Sequence, residues 1–183
     1  MARLRASAWC VLFVAIVFQG AALAQTKDAD WTDPLEEMAL KGIPLTPRQK
    51  FELGAAYMTL QPARAERWLA EPAELGFAWA QNYLGKVECT HKKFEACAMW
   101  LQRAGWQGFT SAGIDLDSLY LDGHGVPKDL KLACMWGLMS GHLDPEEIAP
   151  CRTSLSSSEF LSVQATAREI RAREGTFKDF GDQ

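Results

Sequence analysis

The chain has 183 residues, 48% of them apolar, with a formal net charge of −4. The length suits a single domain, and the apolar share excludes a disordered chain. The acidic balance excludes the basic footprint that phosphate backbones require, so no nucleic-acid partner is expected.

The first predicted element is a leader over residues 1–24. Arg3 and Arg5 give a positive start, Ala8 to Phe18 is an unbroken apolar run, and Ala22-Leu23-Ala24 offers a small-residue cleavage site. That is the layout of a secretory signal peptide. The run is shorter than the about 20 residues of a membrane span, which favours cleavage after Ala24 over retention as an anchor. Cleavage removes two arginines and no acid, leaving 17 basic against 23 acidic side chains, a net charge of −6. No later apolar run is long enough to span a bilayer, so the mature chain is expected in the periplasm or fully secreted.

Residues 25–46 read as an N-terminal extension in which Asp33-Pro34 opens a short capping helix that stops near Gly42. Thr46-Pro47-Arg48-Gln49 is a strong helix start, with Thr46 as N-cap, Pro47 in the first turn and Gln49 closing a capping box.

A repeat comes next. Trp68, Trp100 and Trp136 are spaced by 32 and 36 residues, with a small residue (Ala65, Cys97, Ala133) three positions before each. Gly76 and Gly108 stand eight positions after the first two, and Asp144 takes that place in the third. Ala80, Ala112 and Ile148 come four further on. Leu53, Leu84 and Leu116 form another column, with Gly54 and Gly85 directly after two of them. The extra four residues fall within Asp122-Gly123-His124-Gly125-Val126-Pro127-Lys128-Asp129, whose glycines and proline mark a loop. Thr90-His91-Lys92-Lys93 is the shorter equivalent.

Apolar spacing within each unit is helical. Helices A are predicted over about 47–59, 78–89 and 111–121, and helices B over about 62–70, 94–105 and 129–141. Pairs this short cannot bury their own apolar stripes and must stack, which gives a solenoid. A half-unit lies around Glu146 to Arg152. Ser156-Ser157-Ser158-Glu159 is a second capping box, and Phe160 to about Arg173 forms a terminal helix, so that 153–175 caps the array. Residues 176–183 are expected to fray.

These columns resemble the Sel-one-like repeat (SLR) family, relatives of the tetratricopeptide repeats, over residues 47–152 as about three and a half units. The third unit carries the most specific part: Leu116, Tyr120, Gly123-His124-Gly125-Val126-Pro127-Lys128-Asp129, Ala133 and Trp136. The second has Ala80, Leu84-Gly85, Trp100, Ala104 and Gly108, and the first Leu53-Gly54, Tyr57, Ala65, Trp68 and Gly76. The chain departs from the pattern at Asp117 and Asp144, where glycine is usual. It departs again at Pro72, where alanine is usual and a proline is expected to end or kink the helix. The resemblance implies an all-α, right-handed α/α superhelix with a C-terminal capping helix, and adaptor work in envelope assembly or signalling.

Without Cys10, four cysteines remain. Cys89 and Cys97 flank one predicted turn, and Cys134 and Cys151 flank another. Each pair thus faces itself across a helix hairpin, within reach of the roughly 4.4–6.8 Å Cα separation of a disulfide. Disulfides Cys89–Cys97 and Cys134–Cys151 are expected in an exported chain, with four buried free thiols as the alternative. Cys89, His91 and Cys97 lack a fourth ligand for zinc, so no metal and no cofactor are expected. His124 and His142 fall in turns. No Gly-x-Ser-x-Gly or Ser-x-x-Lys motif is present, and Ser154 to Ser158 fits capping.

Binding rather than catalysis is therefore the expected function: a protein partner of the cell envelope held on outward positions of helix A, namely Trp79, Asn82, Lys86, Asp115 and Ser118. The alternatives are a cell-wall-related or β-lactam-binding or hydrolysing enzyme, and an obligate structural subunit of an envelope complex. The three repeat tryptophans are assigned to the core. Trp79, Trp106 and Phe109 lie off the columns, at unit junctions.

Overall fold

The structure is a computed structural model that describes residues 33–143 and 145–176. The expected leader over 1–24 and nearly all of the expected tail lie outside the described residues. The chain divides at Pro34, and the second unit, Leu35–Gln183, holds the helical array.

Nine helices and no strand lie among the described residues: α1 Pro34–Leu40, α2 Pro47–Tyr57, α3 Pro62–Glu74, α4 Ala78–Thr90, α5 Phe94–Trp106, α6 Thr110–Asp122, α7 Leu130–Ser140, α8 Pro145–Ser154 and α9 Ser157–Arg171. Three hairpins, α2–α3, α4–α5 and α6–α7, are the repeat units. They stack through α3 against α4 and α5 against α6. Helix α9 packs on α7, while α8 touches its neighbours only lightly. Both capping boxes form. Thr46 Oγ1 accepts from the Gln49 amide at 3.2 Å, and Gln49 Oε1 accepts from the Thr46 amide at 2.9 Å. Ser156 and Glu159 repeat the exchange at 3.3 and 3.1 Å.

Trp68, Trp100 and Trp136 are all buried between helices. Each removes roughly 150–250 Å² from water, which at about 25 cal/mol per Å² gives an upper bound of about 4–6 kcal/mol apiece. Gly76 and Gly108 share the same left-handed φ of +93°, one repeat apart, just beyond the ends of α3 and α5. Phe77 and Phe109 follow them as N-caps of α4 and α6, and both are buried. This aromatic column makes Phe109 a repeat residue, where the sequence had placed it off the columns.

Helix α3 does not stop before Pro72 but runs through it to Glu74. In the last turn the proline ring forfeits one N–H bond, while its carbonyl still accepts from the Phe77 amide at 3.2 Å. The side chain is fully buried, and that packing offsets the lost bond.

Asp117 has a clear structural reason. A Cβ at Gly54 would lie 2.6 Å from Leu69 Cγ, and one at Gly85 would lie 2.8 Å from Leu101 Cγ. In both units a small residue on helix A admits a leucine from helix B. The third unit reverses the sizes: Gly137 follows Trp136 where leucine follows the other two tryptophans, and a Cβ there would lie 3.2 Å from Asp117 Oδ2. The contact is kept with its partners exchanged. Helix α7 then closes earlier than α3 and α5, at Gly141 with φ +71°.

The Gly123–Asp129 loop docks backwards onto the second unit. A Cβ at Gly125 would fall 2.2 Å from the Phe94 carbonyl carbon and oxygen, and the His124 ring stacks on Phe94 at 4.9 Å. Cys89 is bonded to Cys97 and Cys134 to Cys151, with Cα separations of 5.1 and 5.9 Å. The first closes the α4–α5 hairpin, and the second ties α8 to α7. At the other end, Glu36 of α1 is buried against the first unit, where Tyr57 Oη and Trp68 Nε1 both donate to it.

Candidate partner-binding groove

A central helix A has little free surface. Helix α4 packs against both α3 and α5, and Ala78, Ala80, Gln81, Asn82, Leu84, Gly85, Val87 and Glu88 are all buried. Before its last turn, what remains open is a strip at spacing i, i+4, i+7: Trp79, Tyr83 and Lys86. This strip borders a groove of about 660 Å³. Ala55 of α2 and Met58, which caps its C-terminus, form one side, and Phe109 and Ser111 at the start of α6 the other. Trp79 stays 38% exposed and meets Phe109 edge-on at 4.8 Å.

The five helix A positions divide. Trp79, Asn82 and Lys86 line the groove. Asp115 stands behind Lys86, with its Oδ2 3.4 Å from the ammonium. Lys86 Nζ also donates to Ser111 Oγ at 3.4 Å. Asn82 corrects the expectation of an outward side chain: it is 2% exposed, on the groove floor, because α4 is enclosed on both flanks. Its Oδ1 accepts no hydrogen bond among the described residues. Ser118 is exposed but lies elsewhere, on a smaller cavity of about 370 Å³ between α6, α7 and α8.

Two lining features escaped the sequence. Tyr83 follows Trp79 by one turn and could have been found by that spacing. Glu174 and Gly175 could not, because they reach the groove only when the turn after α9 returns across Gly108. There Arg173 Nη1 donates to the Trp106 carbonyl at 3.0 Å, and Thr110 Oγ1 donates to Glu174 Oε1 at 3.1 Å.

Two clusters outside the groove bear on chemistry. Ser140, His142 and Asp117 form a chain, with Ser140 Oγ 2.6 Å from His142 Nδ1 and His142 Nε2 3.5 Å from Asp117 Oδ2. Ser140 already donates to the Gly137 carbonyl at 2.7 Å and does not line the adjoining cavity. The hydroxyl thus tethers a helix end and is not presented as a nucleophile. Burial pushes the Asp117 carboxyl above its ordinary range, against the opposing pull of His142.

The second cluster brings ligand atoms of Glu66, Glu88 and His91 within 4.8 Å of one another. The Lys93 ammonium bridges both carboxylates at 2.9 and 3.1 Å, and those bonds, Glu66 first, raise its pKa. A cation of the chain itself therefore fills the acidic site, while Cys89 and Cys97 are committed to each other.

No family model matches the sequence, and no curated protein does. Among solved structures, the chain is similar to a protective antigen present in uropathogenic Escherichia coli strains that displays an SLR fold. The TM-score is 0.60 at 23% identity, over 79% of this chain and 35% of that one. The chain thus spans about a third of that protein's length. At this identity the likeness speaks to architecture alone, and it agrees with the columns, the paired hairpins and their stacking: the chain has the SLR fold.

Proposed function

We propose that the protein is an exported interaction module that holds a protein partner in the groove along helices α2, α4 and α6. The observation that carries this reading is the groove itself, a trough of about 660 Å³ lined by the aromatic rings of Trp79, Tyr83 and Phe109. Stacked hairpins supply the extended rigid surface, and a half-exposed tryptophan at its edge suits an interface anchor. Export is supported by the two disulfides and by the leader-like residues 1–24. No helix among the described residues is long and apolar enough to cross a membrane.

The test is photo-crosslinking in the native cell from probes at Trp79, Lys86 and Ser111, with probes at Arg67 and Met99 on helices B as controls. The proposal requires one protein to be captured from the first set and not from the second. Equal capture from both sets, or none from the groove, removes it.

A further inference from the structure

We propose that the groove is occupied by the chain's own next segment, Phe177-Lys178-Asp179-Phe180-Gly181-Asp182-Gln183, which a partner must displace in order to bind. The occupancy stands by itself; only the displacement rests on the groove being the partner's site. The segment lies outside the described residues, and its point of departure is fixed by those that precede it. The turn after α9 is pinned to the start of α6. A Cβ at Gly108 would lie 2.7 Å from the Arg173 carbonyl carbon, and the Thr110 hydroxyl donates to Glu174 Oε1 at 3.1 Å. Thr176 Oγ1 then donates to the Arg173 carbonyl at 2.7 Å, which closes the turn. Glu174 and Gly175 are themselves part of the groove wall. The segment therefore starts at the groove, and that anchorage argues against the fraying expected from sequence.

The lining carries both a lysine and a glutamate, so charge does not choose the occupant. Apolar surface does. Trp79 is 38% exposed, its ring meets Phe109 edge-on at 4.8 Å, and Ala55 and Met58 line the α2 side. The segment brings two phenylalanines, Phe177 and Phe180, to that surface. From Trp79 to Lys86 the open strip of α4 rises about 10 Å, at 1.5 Å per residue. An extended chain from Phe177 to Phe180 covers about the same 10 Å, at 3.3 Å per residue. The two rings thus match the strip in length as well as in chemistry. Attachment at the wall also lowers the affinity required. A short tether presents the segment at an effective concentration on the order of 1 mM, so an intrinsic dissociation constant of about 0.1 mM fills the site to about nine-tenths and weakens any competitor about tenfold.

Intramolecular photo-crosslinking in the purified, oxidised full chain tests this directly. With p-benzoylphenylalanine in place of Phe180, the protein is irradiated at low micromolar concentration and the products are mapped by mass spectrometry. The expected products join position 180 to Met58, Trp79 or Tyr83 within one chain. Products elsewhere on the surface, products between two copies, or none at all overturn the inference. A second measurement needs no photoprobe. A fluorescent peptide of residues 176–183 is titrated into the parent chain and into Phe177→Ala/Phe180→Ala. It should bind the variant at least tenfold more tightly than the parent, and Trp79→Ala added to the variant should abolish that gain. Equal binding to parent and variant, or no binding to the variant, overturns the inference. Both readouts are made without a partner. A partner captured in the groove with position 180 crosslinked elsewhere therefore removes the inference alone, and a seated segment with no protein captured in the cell removes the proposed function alone.

Discussion

Gly125 offers a direct test of how the third repeat is joined to the second. Its φ is +70°, and a Cβ there would sit 2.2 Å from backbone atoms of Phe94 and 2.5 Å from the Glu95 amide nitrogen. Gly125→Ala therefore incurs two costs. The left-handed conformation costs about 1–2 kcal/mol for a residue with a Cβ. Overlap with backbone, which cannot rotate away as a side chain can, adds about 1–3 kcal/mol. The total is about 2–5 kcal/mol, or a fall of roughly 4–20 °C in Tm for a domain of this size. Gly42→Ala isolates the first cost, since Gly42 has φ +78° and nothing within 4 Å of its Cβ position. Circular dichroism melts and urea titrations of both variants, with disulfides intact, should place Gly125→Ala at least 1 kcal/mol below Gly42→Ala. Equal losses would mean that the loop is not seated on Phe94.

The packing sets three further outcomes. The Asp117 carboxyl holds its proton more tightly folded than unfolded, so its contribution to stability is full below its ordinary pKa and is lost as pH rises through the raised value. Asp117→Asn should accordingly gain on the parent chain between pH 3.5 and pH 7 in urea midpoint, and a constant difference would contradict the assignment. Gly85→Ala should cost about 1–3 kcal/mol by crowding Leu101, and Leu101→Ala in the same chain should recover part of that loss in a double-mutant cycle. For the disulfides, the chain-entropy relation with sequence separations of 8 and 17 gives about 2.5 kcal/mol for Cys89–Cys97 and about 3 kcal/mol for Cys134–Cys151. Paired Cys→Ala variants should therefore both lose stability, the second pair more than the first, as read by urea midpoints.

Much of the fold was legible because repeats encode local structure in columns. The tryptophans, the glycines after helix B and the two capping boxes each act over a few residues, and the same geometry recurs unit by unit. Whether Pro72 breaks α3 was not legible, because its effect depends on where the helix ends, and α3 ends within the proline's own turn. Asp117 looked like a defect in isolation, since its explanation, Gly137, lies on the facing helix, far along the chain. The groove was only partly legible. Trp79 and Lys86 follow from helical spacing, whereas the enclosure of Asn82 depends on neighbours flanking α4. Glu174 is brought to the rim by the return of the C-terminal turn, a tertiary contact with no local signal.

The central claim, a partner held along helices α2, α4 and α6, is tested most directly by exchanging the charges of one ion pair. In Lys86→Glu/Asp115→Lys the 3.4 Å pair is preserved in reverse, so the fold should keep its Tm while the field at the groove changes sign at that point. The affinity of the partner captured by crosslinking is then measured for both chains by calorimetry. An affinity changed at least tenfold at unchanged Tm is the predicted result. Unchanged affinity would contradict the claim.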